Sequence, residues 1–107
     1  MAKSTGKLKR TAVFISGTGS NLKNLIKFSF TRKSPIKICL VISNNRNALG
    51  IKYAKKYRIR VKIFKFNKTK SDDNKILSYL KKNKIKIICL AGFMKILSKN
   101  FIDCFKG

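Results

Sequence analysis

The 107 residues predict an α/β fold, a Rossmann-like parallel sheet flanked by helices. Three observations carry this expectation. Short apolar runs rich in β-branched residues alternate with segments of helical spacing in the order β-α-β-α-β-α-β. The connections between them are short. The run Val13-Phe14-Ile15 empties into Ser16-Gly17-Thr18-Gly19-Ser20-Asn21-Leu22, a small-residue turn from which a helical pattern starts at once.

Thr11–Ser16 reads as the first strand, and Ser20–Ser29 as an amphipathic helix with Leu22, Leu25, Ile26 and Phe28 as its apolar members. Pro35 punctuates the next loop, and Ile36–Ser43 is a β-branched second strand. Asn47–Tyr57 follows with Leu49, Tyr53, Ala54 and Tyr57 near helical spacing. Ile59–Phe66 alternates partly between apolar and basic residues, the pattern of a third strand near an edge. Ser71-Asp72-Asp73 opens a helix to about Lys82, with Ser or Asp capping free N–H groups and the acids facing the positive helix end. Ile85–Ala91 is apolar after Lys86, as a strand covered on both faces would be, and a short helical piece starts near Ser98. Ligands of parallel sheets bind beyond the carboxyl ends of the strands. The loops Gly17–Asn21, Ser43–Asn47 and Ala91–Leu97 all fall there and are expected to converge on one cleft.

Composition bounds the partners. Twenty-seven Lys and Arg stand against three acids, a formal net charge of +24. A basic surface of this kind binds nucleic acid non-specifically by releasing counterions. Against a selected surface, Lys dominates over Arg, occurs in every segment, and has no aromatic residues regularly interleaved, a profile of compositional drift. Cys39, Cys89 and Cys104 are odd in number and lack metal-site spacing, so they read as reduced thiols, Cys39 and Cys89 within the core. No run reaches the ~20 apolar residues of a membrane span, and Met1–Arg10 is a basic extension without a signal-peptide core. No membrane partner and a cytoplasmic location are expected.

The turn after the first strand is neither a dinucleotide fingerprint nor a Walker loop. Leu22 stands where the former needs a third glycine, and the latter's Gly-Lys-Ser/Thr ending is missing. What remains is G-x-G-S-N, two glycines and two hydrogen-bonding side chains at a helix start. That arrangement suits a phosphate, or alternatively a tight turn with a Ser/Asn cap. Acid–base chemistry is sparse: histidine is absent, Asp72 and Asp73 have a capping explanation, and Asp103 stands alone. A Ser-His-Asp triad is therefore impossible.

Ile15-Ser16-Gly17-Thr18-Gly19-Ser20-Asn21-Leu22, followed by Ala91-Gly92-Phe93-Met94-Lys95-Ile96-Leu97-Ser98, resembles the glycinamide ribonucleotide formyltransferases of purine biosynthesis. Val41-Ile42-Ser43-Asn44 and Ala48-Leu49-Gly50 fit the same family's second-strand loop, so the resemblance runs from Thr11 to Phe105. It implies formyl transfer from 10-formyltetrahydrofolate to the amine of glycinamide ribonucleotide. It places Gly19, Ser20 and Asn21 at the substrate phosphate, and Met94, Lys95, Ile96, Leu97 and Lys70 at the folate. Lys95 departs from the family's usual Arg, which weakens any bidentate role. Formyltetrahydrofolate hydrolases resemble the chain less: they carry Arg-Tyr-Met where Gly92-Phe93-Met94 stands. The family's Asn-x-His-Pro-Ser catalytic segment has no counterpart in the 107 residues. The resemblance thus implies a basic extension (1–10) and the N-terminal half of a formyltransferase domain (11–107), truncated before the catalytic half, inactive alone and missing a C-terminal part.

Overall fold

The computed structural model describes residues 8–17, 20–66 and 69–105, with Lys70 described in its backbone only. Eight elements follow in the expected alternation: β1 (Lys9–Ile15), α1 (Ser20–Ser29), β2 (Ile36–Ser43), α2 (Gly50–Lys56), β3 (Arg60–Ile63), α3 (Lys70–Lys82), β4 (Ile87–Leu90) and α4 (Lys99–Cys104). The four strands form one sheet in the order β3-β2-β1-β4, and every neighbouring pair is parallel.

β1 is central and is buried from Thr11 onward, because helices cover both of its faces. Its side chains alternate between two cores. Val13 and Ile15 join Leu22 and Ile26 of α1 and Ala54 of α2. Ala12 and Phe14 join Ile76 and Leu80 of α3 and Phe101 of α4. Each fully buried large apolar side chain contributes about 1.5–3 kcal/mol relative to exposure. The strand that supplies the first loop is thus the most firmly held.

Several boundaries differ from the sequence reading, each for a local reason. β1 starts at Lys9, because Lys9 pairs with Ile36 and its N–H donates to the Pro35 carbonyl at 2.9 Å. α1 turns Leu22, Ile26 and Ser29 inward and leaves Phe28 exposed at the rim. α2 begins at Gly50 and not Asn47. There the Asn45 side chain accepts from the Asn47 N–H at 3.0 Å, a local turn that competes with helix. Thr69, not Ser71 or an Asp, caps α3 by accepting from the Asp72 N–H at 3.1 Å. β3 is short and lies at an edge, as its alternation implied.

β4 is more exposed than its apolar run suggests. It is the other edge of the sheet, half-buried along its length with Leu90 56% exposed. Apolar composition predicted cover on both faces. Its side chains still reach both cores, Ile87 and Cys89 one and Ile88 the other, and among the described residues its second edge has no strand partner, which leaves it half-exposed.

The cysteines also sit nearer the surface than a core reading implies: Cys39 and Cys89 are half-buried and Cys104 is exposed. Burial pushes the Cys89 thiol up from its ordinary value. Its contribution to stability is therefore complete below the ordinary thiol range near about pH 8.5 and is lost as pH climbs through the raised value. Iodoacetamide should alkylate Cys104 before Cys89 in the folded chain, with the order read by mass spectrometry. A Cys89 that reacts first would contradict its desolvation.

Candidate functional site

The strand order places a topological switch point between β1 and β4. The chain leaves β1 toward β2 and β3 on one side, then returns past β1 to β4 on the other. In open parallel sheets the ligand crevice opens beyond the carboxyl ends at such a point. Residues 16–21 follow β1 and residues 91–98 follow β4, so the two motifs follow adjacent strands on either side of that point.

Ser16 joins the loops. Its Oγ donates to Asn44 Oδ1 at 2.6 Å and accepts the Met94 N–H at 2.8 Å. The Asn45 side-chain amide donates to the Ser16 carbonyl at 3.4 Å, and Ser43 Oγ donates to the Asn45 carbonyl at 2.7 Å. The Gly50 N–H donates to the Gly17 carbonyl at 3.1 Å, docking the start of α2 on the same turn. One buried serine thus connects the loops after β1, β2 and β4, and the expected convergence is present. Neither Ser16 nor Asn44 and Asn45 stood out as site residues in the sequence. The signal was there: a serine closes an otherwise apolar strand, and Ser43-Asn44-Asn45 crowds small polar side chains at the next strand's end.

Ser16→Ala removes both the acceptor of Met94 and the donor to Asn44, an expected loss of about 1–3 kcal/mol. Hydrogen exchange should show Met94 losing protection first. Unchanged protection there would detach Ser16 from the β4 loop.

Ser20 and Asn21 are exposed in the first turn of α1, which carries no acidic residue to compete for its free N–H groups. Gly19 lies outside the described residues. Among the described residues a Cβ on Gly17 would meet nothing within 4 Å, so their packing does not demand glycine there. Gly92 is different: its φ of +71° is left-handed, where a side chain would be strained, and it turns the chain out of β4.

The folate-assigned residues are divided. Met94 and Ile96 are 81% and 74% exposed, and Lys95 is exposed beside them. Leu97 and Phe93 pack instead against the core around Phe14. Lys70 opens α3 after the carboxyl end of β3, and its side chain lies outside the described residues. Cavities of about 480–870 Å³ open at the amino edge of the sheet and along α3, and the residues of these two motifs line none of them.

The acids are structural here. Asp73 is buried and accepts from Ser98 Oγ at 2.6 Å and Asn100 Nδ2 at 3.2 Å, tying α3 to the start of α4. Asp103, which looked solitary in sequence, pairs with Lys99 at 2.7 Å on exposed α4. Among the described residues no three His, Cys, Asp or Glu gather as a metal group. No helix among them is long and apolar enough to cross a membrane.

Strand order and helix placement define an α/β protein of the Rossmann-like class, with its switch point between β1 and β4. The chain belongs to the formyl transferase family, which it matches over residues 9–107. It is 38% identical over 103 residues to the phosphoribosylglycinamide formyltransferase of Haemophilus influenzae, covering 94% of this chain and 49% of that protein. It is 39% identical over 104 residues to the human trifunctional purine biosynthetic protein adenosine-3, covering 94% of this chain and 10% of that one. The solved phosphoribosylglycinamide formyltransferase of Brucella melitensis superposes with a TM-score of 0.85 at 36% identity, over 94% of this chain and 54% of its own. The Anaplasma phagocytophilum enzyme superposes at 0.79 with 38% identity, over 91% and 46%. The chain therefore spans about half the length of the bacterial relatives it matches.

Proposed function

We propose that these residues form the substrate-binding half of a glycinamide ribonucleotide formyltransferase, with residues 11–107 as the N-terminal half of its domain. The observation that carries this reading is the position of the two motifs, which follow adjacent strands on either side of the switch point. Gly19, Ser20 and Asn21 would hold the substrate phosphate, using backbone N–H groups and the positive end of α1. Met94, Lys95, Ile96, Leu97 and Lys70 would meet the 10-formyltetrahydrofolate that donates the formyl group. The exposed Met94 and Ile96 offer apolar surface to a ring system, and Leu97 anchors the segment to the core.

Proton transfer is another matter. The 107 residues contain no histidine, and Asp73 and Asp103 are engaged in α4. The 107-residue chain alone is therefore read as binding substrate without transferring the formyl group. Calorimetry on the purified chain should show glycinamide ribonucleotide bound weakly, with binding lost in Asn21→Ala. Equal affinity of the variant would remove Asn21 from the phosphate site. Formyl transfer by the chain above the uncatalysed rate would overturn the assignment of binding alone.

A further inference from the structure

The edge of the sheet opposite the crevice carries a second concave surface. Two cavities, of about 560 and 480 Å³, open at the amino ends of the strands, and Arg10, Cys39, Arg58 and Ile59 line both. Phe30 and Tyr57 wall the larger one, beside Arg10, Lys37 and Arg58. Arg60 borders the smaller one. We propose that this groove binds a nucleotide-class ligand, with a planar base against Phe30 and Tyr57 and phosphate among Arg10, Arg58, Arg60 and Lys37.

Four observations support the assignment. Only five of the 27 basic residues are arginine, and three of the five (Arg10, Arg58 and Arg60) meet here. Drift toward lysine would have no reason to gather them from β1, the α2–β3 turn and β3. Arginine's planar fork suits phosphate oxygens better than a lysine point charge does. Arg10 is also held in place, since its Nε–H donates to the Asn83 carbonyl at 2.8 Å and leaves the other guanidinium donors for a ligand.

The second observation is aromatic. Phe30 is 67% exposed at the end of α1, and its ring lies 5.7 Å from that of Tyr57. Tyr57 is half-buried against the core and backs the exposed Phe30 ring, and such a ring beside arginines is the combination that stacks a base and neutralises its phosphate. Linear sequence conceals it, because Phe30 and Arg58 belong to different elements. Third, among the described residues no carboxylate pairs with these arginines. The ion pair present is Lys99–Asp103 on α4, and Asp72 and Asp73 lie in the first turn of α3.

The fourth is the balance of fields. α1, α2 and α3 all end toward this edge, and each C-terminus carries about half a negative charge. Those dipoles account for some basic residues nearby. They sum to well under the four formal positive charges of Arg10, Lys37, Arg58 and Arg60, so the groove stays attractive to anions.

The test titrates the full 107-residue chain, at low micromolar concentration and about 0.15 M salt, against three probes: a fluorescent single-stranded ten-mer of RNA, adenosine monophosphate and inorganic phosphate. Phe30→Ala leaves the charge unchanged and removes an exposed ring. It should weaken binding of the base-bearing probe about fivefold or more. Arg58→Gly with Arg60→Gln should weaken it about tenfold and make the salt dependence of the ten-mer shallower by about one to one and a half. Glycine suits Arg58's left-handed φ of 58°, so this variant should keep its fold, as circular dichroism would verify. Lys65→Gln with Lys75→Gln, which removes the same charge after the carboxyl end of β3 and from the first half of α3, away from the groove, should change affinity less than twofold. Saturable adenosine monophosphate binding identifies a free nucleotide as the source; binding of the ten-mer alone identifies a single strand. The proposal is overturned if inorganic phosphate binds as well as either, if Phe30→Ala binds normally, or if the lysine control weakens binding as much as the arginine variant.

Discussion

Replacing Phe14 with alanine is expected to cost about 3–5 kcal/mol and leave much of the chain unfolded. Phe14 is fully buried on the central strand. Its ring meets those of Phe66, Phe93 and Phe101 at 5.6, 5.4 and 6.2 Å, and Phe66 and Phe93 pack edge-on at 4.8 Å. Truncation removes the transfer energy of the ring and opens a cavity among three others that cannot all collapse inward. Edge-to-face pairs of this kind are each worth about 0.5–1.5 kcal/mol beyond their area. The effect reaches the site as well, because Phe93 precedes the Met94 N–H that Ser16 accepts. Urea melts followed by circular dichroism would measure the loss, with Phe28→Ala as an exposed comparison expected within about 0.5 kcal/mol of wild type. A Phe14→Ala midpoint close to that of Phe28→Ala would mean the aromatic cluster does not hold the second core.

Asp73→Ala should be the next most damaging change, at about 1.5–3 kcal/mol. The carboxylate is buried and accepts from both Ser98 and Asn100. Ser98 Oγ in turn accepts the Phe101 N–H at 3.0 Å, so Asp73 fixes the cap of α4. A helix of six residues has little stability of its own and depends on such anchoring. Loss of Asp73 should therefore release α4 and expose Phe101 before the rest of the fold opens, a sequence that hydrogen exchange would resolve. Asp73→Asn keeps an acceptor oxygen and should recover part of the loss. Asp103→Ala breaks only the exposed pair with Lys99, which water screens, and should be close to silent. If Asp103→Ala matched Asp73→Ala, burial would not be what distinguishes the two acids.

These two residues also show how unevenly the sequence could be read. Phe14 sits in a run whose apolar character announces a buried strand, but nothing in that run names Phe66, Phe93 and Phe101 as its neighbours. Asp73 reads as a helix-start acid, and that local explanation hid its contact with a helix 25 residues away. The same limit applied to β4. Its composition indicated burial, whereas its cover depends on what pairs with its second side. The turn after β1 was legible because strand, glycines and helix start are consecutive. Ser16 was not, since its partners Asn44 and Met94 come from two other loops.

Periodicity, turn chemistry and two contiguous motifs determined the alternation of elements, the corner at residues 16–22 and the family to which they point. Those signals are local, and covalent neighbours carry them. Only the tertiary structure decided that β1 and β4 are adjacent, which puts the switch point between the two motifs. It also decided that Ser16 joins three loops, and that Phe30, Tyr57 and three arginines face one groove at the opposite edge. Strand order and side-chain convergence follow from which apolar faces pack together, an energy shared across the whole chain and written in no single stretch of it.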